Sequence, residues 1–126
     1  MKTRFEYVYT VALCGTNIIK IGQTKTLMQR MSQLKCGSTT ELLAIIITDD
    51  SREVEAELHD SYSEFRIPQT EYFNLPYDPR KRSWITGEAD KLFFAPINSD
   101  SSNYQIVKNV AELAFKKFYF QGDLWQ

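Results

Sequence analysis

Tyr9, Lys20 and Arg30 carry a phenol, an ammonium and a guanidinium, while Glu55 and His59 add a carboxylate and an imidazole. A guanidinium meets phosphate oxygens through a planar two-pronged fork, and an ammonium meets them as a compact point charge. With a phenol beside them, the three outline a surface for handling phosphate. A carboxylate nearby supplies what phosphodiester chemistry assisted by a divalent ion requires. Glu55, His59 and Tyr62 follow one another by four and three residues, which puts them on one face of a helix. Each group also has a plainer reading when taken alone. Most acids on a helix are solvated, a single histidine is more often a hydrogen-bonded half-buried residue than a catalyst, and an arginine beside an apolar stripe more often covers it with its stem.

Strands and helices must bring these groups together. Residues 5–13 are rich in Tyr, Val and Phe and lack breakers, which predicts a strand carrying Tyr9. Residues 14–17, Cys-Gly-Thr-Asn, are turn material, and residues 18–22 predict the second strand of a hairpin with Lys20 on it. Gly22 marks either a strand end with a tight exit or a place where another backbone or a ligand comes close. Thr26 at an N-cap and Gln29 three residues later suggest a capping box, and Leu27, Met31 and Leu34 recur at helical spacing before Cys36-Gly37. Arg30 lies beside that stripe. The apolar run from Leu42 to Ile47 suits a central strand covered on both faces. Asp50 and Glu53 then open a second helix whose inner side is Val54, Leu58 and Phe65. Residues 71–75 predict a short aromatic strand, residues 77–98 a connector with local helix or strand, and Ile106, Val110, Leu113 and Phe118 a C-terminal helix to about Phe120.

A chain of 126 residues that is 43% hydrophobic and 25% charged fits one ordinary domain. No run approaches the roughly 18 apolar residues of a membrane helix, and residues 1–6 lack an apolar signal segment, so a cytoplasmic protein with no membrane partner is expected. Cys14 and Cys36 stand apart without companions at metal-ligand spacing and are expected to be plain thiols. The net charge of −1 conceals a pattern: six basic and two acidic residues in 1–48, two and nine in 49–78, seven and five in 79–126. This argues against indiscriminate coating of DNA and permits a local basic groove facing carboxylates.

Residues 1–77 resemble the GIY-YIG nuclease superfamily, in the phage T5-type or meiotically up-regulated-type branch of phage and bacterial proteins that has Lys-Ile-Gly as its second motif. Tyr7-Val8-Tyr9 stands where Gly-Ile-Tyr is expected and Lys20-Ile21-Gly22 where Tyr-Ile-Gly is expected. Thr24 and Arg30 fall at the usual places after that glycine, Glu55 matches the acid of the second helix, and Arg66 with Glu71-Tyr72-Phe73 resembles the closing motifs. Several modest matches in the correct order are more specific than any one.

The resemblance implies an α+β fold, a small three-stranded antiparallel sheet flanked by helices, over residues 1–77, and it ends there; the connector and C-terminal helix of residues 78–126 are expected to pack on or extend the same domain. It implies cleavage of a nucleic-acid phosphodiester, DNA before RNA, with magnesium or manganese. By position, Tyr9 looks like the phenol that contacts or deprotonates the attacking water, Arg30 like the cation on the scissile phosphate, and Glu55 like the metal ligand. His59 would orient a water or Glu55. Lys20, in place of the usual tyrosine, would contact phosphate or favour the phenolate of Tyr9. Tyr7, Gln23, Thr24, Lys25, Arg30 and Arg66 are the expected nucleic-acid contacts. The closing asparagine has no clear equivalent. Two other functions compete: a catalytically degenerate nucleic-acid-binding module, and a protein-interaction domain using Trp84, Phe93, Phe94 and Trp125.

Overall fold

The computed structural model describes residues 5–79, 92–95 and 102–118. At its centre strand β1 (Glu6–Leu13) is flanked by β2 (Ile18–Thr24) and β3 (Thr40–Thr48), both antiparallel to it. Strand β4 (Tyr72–Asn74) adds to the free edge of β2, and β5 (Leu92–Phe94) pairs in parallel with β3. The order is β4-β2-β1-β3-β5, a mixed five-stranded sheet in an α+β fold. It is larger than the expected three-stranded antiparallel sheet. Three-residue strands are too short to show a period of two, so β5 carries no strand signal of its own, and a partner strand decides it.

The alternation of β1 sorts the two cores. Tyr7, Tyr9 and Val11 point to one face, with Leu42, Ile45 and Ile47 of β3 beneath helices α1 (Leu27–Gln33) and α3 (Ser102–Phe118). Val8 and Ala12 point to the other, with Ile19, Ile21, Leu43 and Ile46 beneath helix α2 (Ser51–Ser61). This double cover is why the apolar run of β3 is unbroken. The register shifts between Thr10 and Val11, which face Ala44 and Leu42 and leave Leu43 extra. That bulge keeps Val11 and Leu42 on one side and sends Leu43 to the other. Helix α3 packs on α1 and β3, so residues 102–118 share the core of the sheet.

Helix α2 begins as expected, with Asp50 Oδ1 accepting the Glu53 amide at 3.2 Å. The expected capping box of α1 does not form: Thr26 is the N-cap residue but its side chain makes no cap bond, and its own amide donates to Thr24 Oγ1 at 3.0 Å. Phe65 lies beyond α2, in the single 3-10 turn Ser63–Phe65, and still packs on the second core. Cys14 and Cys36 are not joined in a disulfide, and Cys14 Sγ donates to Ser38 O at 3.3 Å. Trp84 and Trp125 lie outside the described residues, as does the expected end of α3 near Phe120. Phe93 is partly buried on the second core and Phe94 is 42% exposed. Among the described residues no helix is long and apolar enough to cross a membrane.

Candidate functional site

The site begins with the pairing of β1 and β2, which sets Tyr9 opposite Gly22 and Val11 opposite Lys20. The Tyr9 ring lies across β2 at Gly22, where a Cβ would collide with the phenol oxygen and Cζ. The glycine is thus a place of close approach, but the approaching group is the Tyr9 side chain and not the expected backbone or ligand. Tyr9 is only 1% exposed, and its hydroxyl lies 3.1 Å from Nε of Arg30, which donates to it. Arg30 is delivered by the one full turn of α1 between Thr26 and itself, closed by Arg30 N on Thr26 O at 3.0 Å. Its Nη1 donates to Gln33 Oε1 at 3.3 Å. The Tyr9 oxygen first, and then the charge of Glu71, hold the guanidinium pKa above its ordinary value despite a desolvation cost.

Lys20 has gone to a different partner. Its Nζ is 3.4 Å from Glu71 Oε2 and 5.9 Å above the centre of the Tyr72 ring, with only 13% of the side chain exposed. The pairing of Lys20 with Tyr72 across β2 and β4 brings Glu71 alongside. Tyr9 and Lys20 thus lie on one face of the hairpin as expected, but the phenol is bonded to Arg30 and the ammonium to Glu71.

Across the edge of β2, α2 presents Glu55 and His59. His59 Nε2 lies 3.0 Å from Ile21 O, just past the end of β4. A carbonyl only accepts, so Nε2 carries a proton and, in the neutral ring, Nδ1 is the acceptor. The ring stands edge-on to Phe73 at 5.1 Å. Glu55 is half-buried. Burial raises its carboxyl pKa, His59 and Lys20 oppose the rise, and the charge of Glu71 adds to it. Tyr9, Lys20, Arg30, Glu55 and His59 are thereby brought to one neighbourhood at the open end of β2, linked by Glu71. In the sequence Glu71 stands in the closing motif with no role of its own; an acid just before a short edge strand shows its partner only when the strands are paired.

The expected nucleic-acid contacts divide. Tyr7 is corrected: it is 4% exposed, its hydroxyl donates to Val107 O at 3.3 Å, and burial beneath α3 pushes its pKa up to about 12. The alternation that puts Tyr9 inward puts Tyr7 inward as well. Gln23 and Lys25 are exposed but join a tie to α2. Glu6 Oε1 accepts the Ser51 amide at 3.0 Å and its hydroxyl at 2.6 Å, Gln23 Oε1 lies within reach of that hydroxyl, and Lys25 Nζ is 3.5 Å from Glu6 Oε2. Burial would raise the Glu6 pKa, but the Ser51 bonds and Lys25 together lower it. Thr24 closes the turn into α1, and the exposed Arg66 donates through Nε to Thr70 O at 2.8 Å.

For a divalent ion, no group of three or more His, Cys, Asp or Glu is gathered among the described residues. The half-buried Glu55 carboxylate is nevertheless a hard oxygen donor of the kind magnesium and manganese take, and such an ion would need water for most of its other positions. A cation there would oppose the rise that burial gives its pKa. A shallow hollow of about 370 Å³ on the outer face of α3, lined by Asn109, Glu112, Leu113 and Lys116, contains none of these residues.

The model of one protein family, the T5orf172 domain, matches residues 5–92. This domain falls in a GIY-YIG-like, nuclease-associated group. Neither the curated proteins nor the solved structures hold a significant match to the chain.

Proposed function

Because the chain belongs to the T5orf172 domain family, we propose that it is an endonuclease of the Lys-Ile-Gly branch that hydrolyses nucleic-acid phosphodiesters, DNA foremost, with a divalent metal ion. The observation that carries this reading is the commitment of Arg30 Nε to the buried hydroxyl of Tyr9. With Nε engaged and the stem fixed by α1, the two terminal nitrogens remain for a phosphate, one of them already steadied by Gln33. Lys20 adds a second cation on the same face of the hairpin. Glu55 would hold magnesium or manganese, which supplies charge neutralisation at the phosphate and the leaving oxygen. His59 donates through Nε2 to Ile21 O, and its Nδ1 can accept a proton or orient a water beside Glu55. Tyr9, buried and tied to Arg30, orients the guanidinium.

The test is a matrix of single- and double-stranded DNA and RNA against magnesium, manganese and chelator, with Glu55→Ala as the control. Metal-dependent cleavage lost in Glu55→Ala is expected. No cleavage of any substrate that the protein still binds would leave the second reading, a nucleic-acid-binding module without catalysis, which the 1% exposure of Tyr9 favours.

A further inference from the structure

We propose that the Glu71 carboxylate is a built-in competitor for the nucleic-acid phosphate, holding the Lys20 ammonium where a phosphate oxygen would otherwise take it and giving way when substrate binds. The inference rests on reading Lys20 and Arg30 as phosphate contacts. Its basis is the contrast between a fixed backbone and a free side chain at this position. The turn before Glu71 is tied by Ile67 N to Tyr72 O at 2.8 Å, Arg66 Nε to Thr70 O at 2.8 Å, Thr70 Oγ1 to Ile67 O at 2.7 Å and Tyr72 N to Thr70 Oγ1 at 3.0 Å. Gln69 within it takes a left-handed φ of 64°. So many bonds set the backbone of Glu71 beside Lys20. Its side chain is 63% exposed and that of Lys20 only 13%, so the acid can swing into solvent while the lysine, lying over Tyr72, cannot easily follow.

The charges point the same way. Glu71 acts on Arg30 as well as pairing with Lys20, whereas Glu55 acts on Lys20. A carboxylate that addresses both cations covers the electrostatic footprint of a phosphate with one negative charge and two oxygens. An ion pair with one partner this exposed is weak, so a phosphodiester reaching Lys20 and Arg30 together outcompetes it, and the cost appears as reduced affinity. In the absence of substrate the same pair shields Glu55 from the full charge of Lys20.

The experiment is fluorescence anisotropy of a labelled random-sequence DNA duplex in EDTA, titrated with the full chain, Glu71→Gln, Lys20→Met and the double variant. Glu71→Gln should bind about two- to fivefold more tightly, the range expected for release of an exposed ion pair. The gain should shrink in the Lys20→Met background, because a competitor without its cation has nothing to block. Where DNA is bound, equal or weaker binding by Glu71→Gln would overturn the proposal, and so would an undiminished gain in the Lys20→Met background, which would mark simple long-range repulsion. Calorimetry with pyrophosphate separates this from the nuclease reading. Pyrophosphate bound more tightly by Glu71→Gln with no DNA bound by either protein sustains the competitor and sinks the nucleic-acid reading, whereas no binding of either probe by either protein sinks both.

Discussion

The hydroxyl of Tyr9 accepts a hydrogen bond from Nε of Arg30 at 3.1 Å, from a ring that is almost wholly buried against Gly22. A strand and a helix that are separate in sequence are thereby joined at the group that would hold substrate. The aim of the guanidinium is set by the hairpin as much as by its own helix.

Arg30→Ala should lower cleavage by at least about a hundredfold, the usual cost of removing one positioned donor to a reacting oxyanion. It should also destabilise the fold by only about 1 kcal/mol, through the bond lost by the Tyr9 hydroxyl. Arg30→Lys should rescue poorly, since an ammonium cannot bond the phenol and present a fork together. Single-turnover rates beside a urea melt check both; unchanged turnover returns Arg30 to a packing role.

Gly22→Ala should destabilise by roughly 1–3 kcal/mol, the ordinary cost of forcing a group into filled space. Its Cβ meets Tyr9 Cζ as well as the hydroxyl, so Tyr9→Phe should not relieve it, whereas Tyr9→Ala should leave Gly22→Ala nearly without further effect. Denaturant midpoints of the six proteins, wild type, three single variants and two double variants, decide this, and simple additivity of Gly22→Ala with Tyr9→Ala would contradict the close approach.

Glu6 predicts an acid-side dependence of stability. Its folded pKa lies below the ordinary value of 4.5, so its contribution is present in full above that value and is lost as pH falls through the folded pKa. Glu6→Gln should cost on the order of 1 kcal/mol at neutral pH, where the carboxylate accepts the first amide of α2, and should flatten the acid limb of a stability profile. A wild-type profile and a variant profile that run parallel would refute it.

Tyr7 predicts the opposite limb. Its pKa is raised by burial to about 12, so the neutral phenol contributes stability that is complete below the unfolded value of 10 and is lost as pH rises towards 12. Tyr62 is raised to about 12 too, by burial first and then by Tyr77, so Tyr7→Phe should remove only part of the alkaline limb. The same variant should leave DNA affinity unchanged, because the hydroxyl faces Val107; a marked loss of binding would restore Tyr7 as a contact.

For Lys20 the geometry supports phosphate contact over assistance to a phenolate. Lys20→Met should weaken DNA binding and reduce the dependence of log affinity on log salt by about one unit of slope. Turnover recovered in alkaline buffer, with binding unaltered, would instead return the phenolate role.

How far the sequence alone reached follows from which forces are local. The hairpin, the doubly covered β3 and the Asp50-capped α2 were legible because period, turn residues and caps act over a few residues. So were the chemical types at Tyr9, Lys20, Arg30, Glu55 and His59, and the common face of Glu55 and His59, which helical spacing dictates. What only the tertiary structure decided is pairing. Strand alternation could place Tyr9 and Lys20 on one face but not give the phenol to Arg30 and the ammonium to Glu71, because side chains choose among neighbours supplied by other elements. It equally could not tell that Tyr7 is buried beneath α3, a helix that begins 95 residues later in the chain at Ser102. The three-residue β5 is a strand because β3 offers it an edge; unlike the aromatic β4, expected within residues 71–75, it has no pattern to declare, and its backbone bonds belong to the partner as much as to itself.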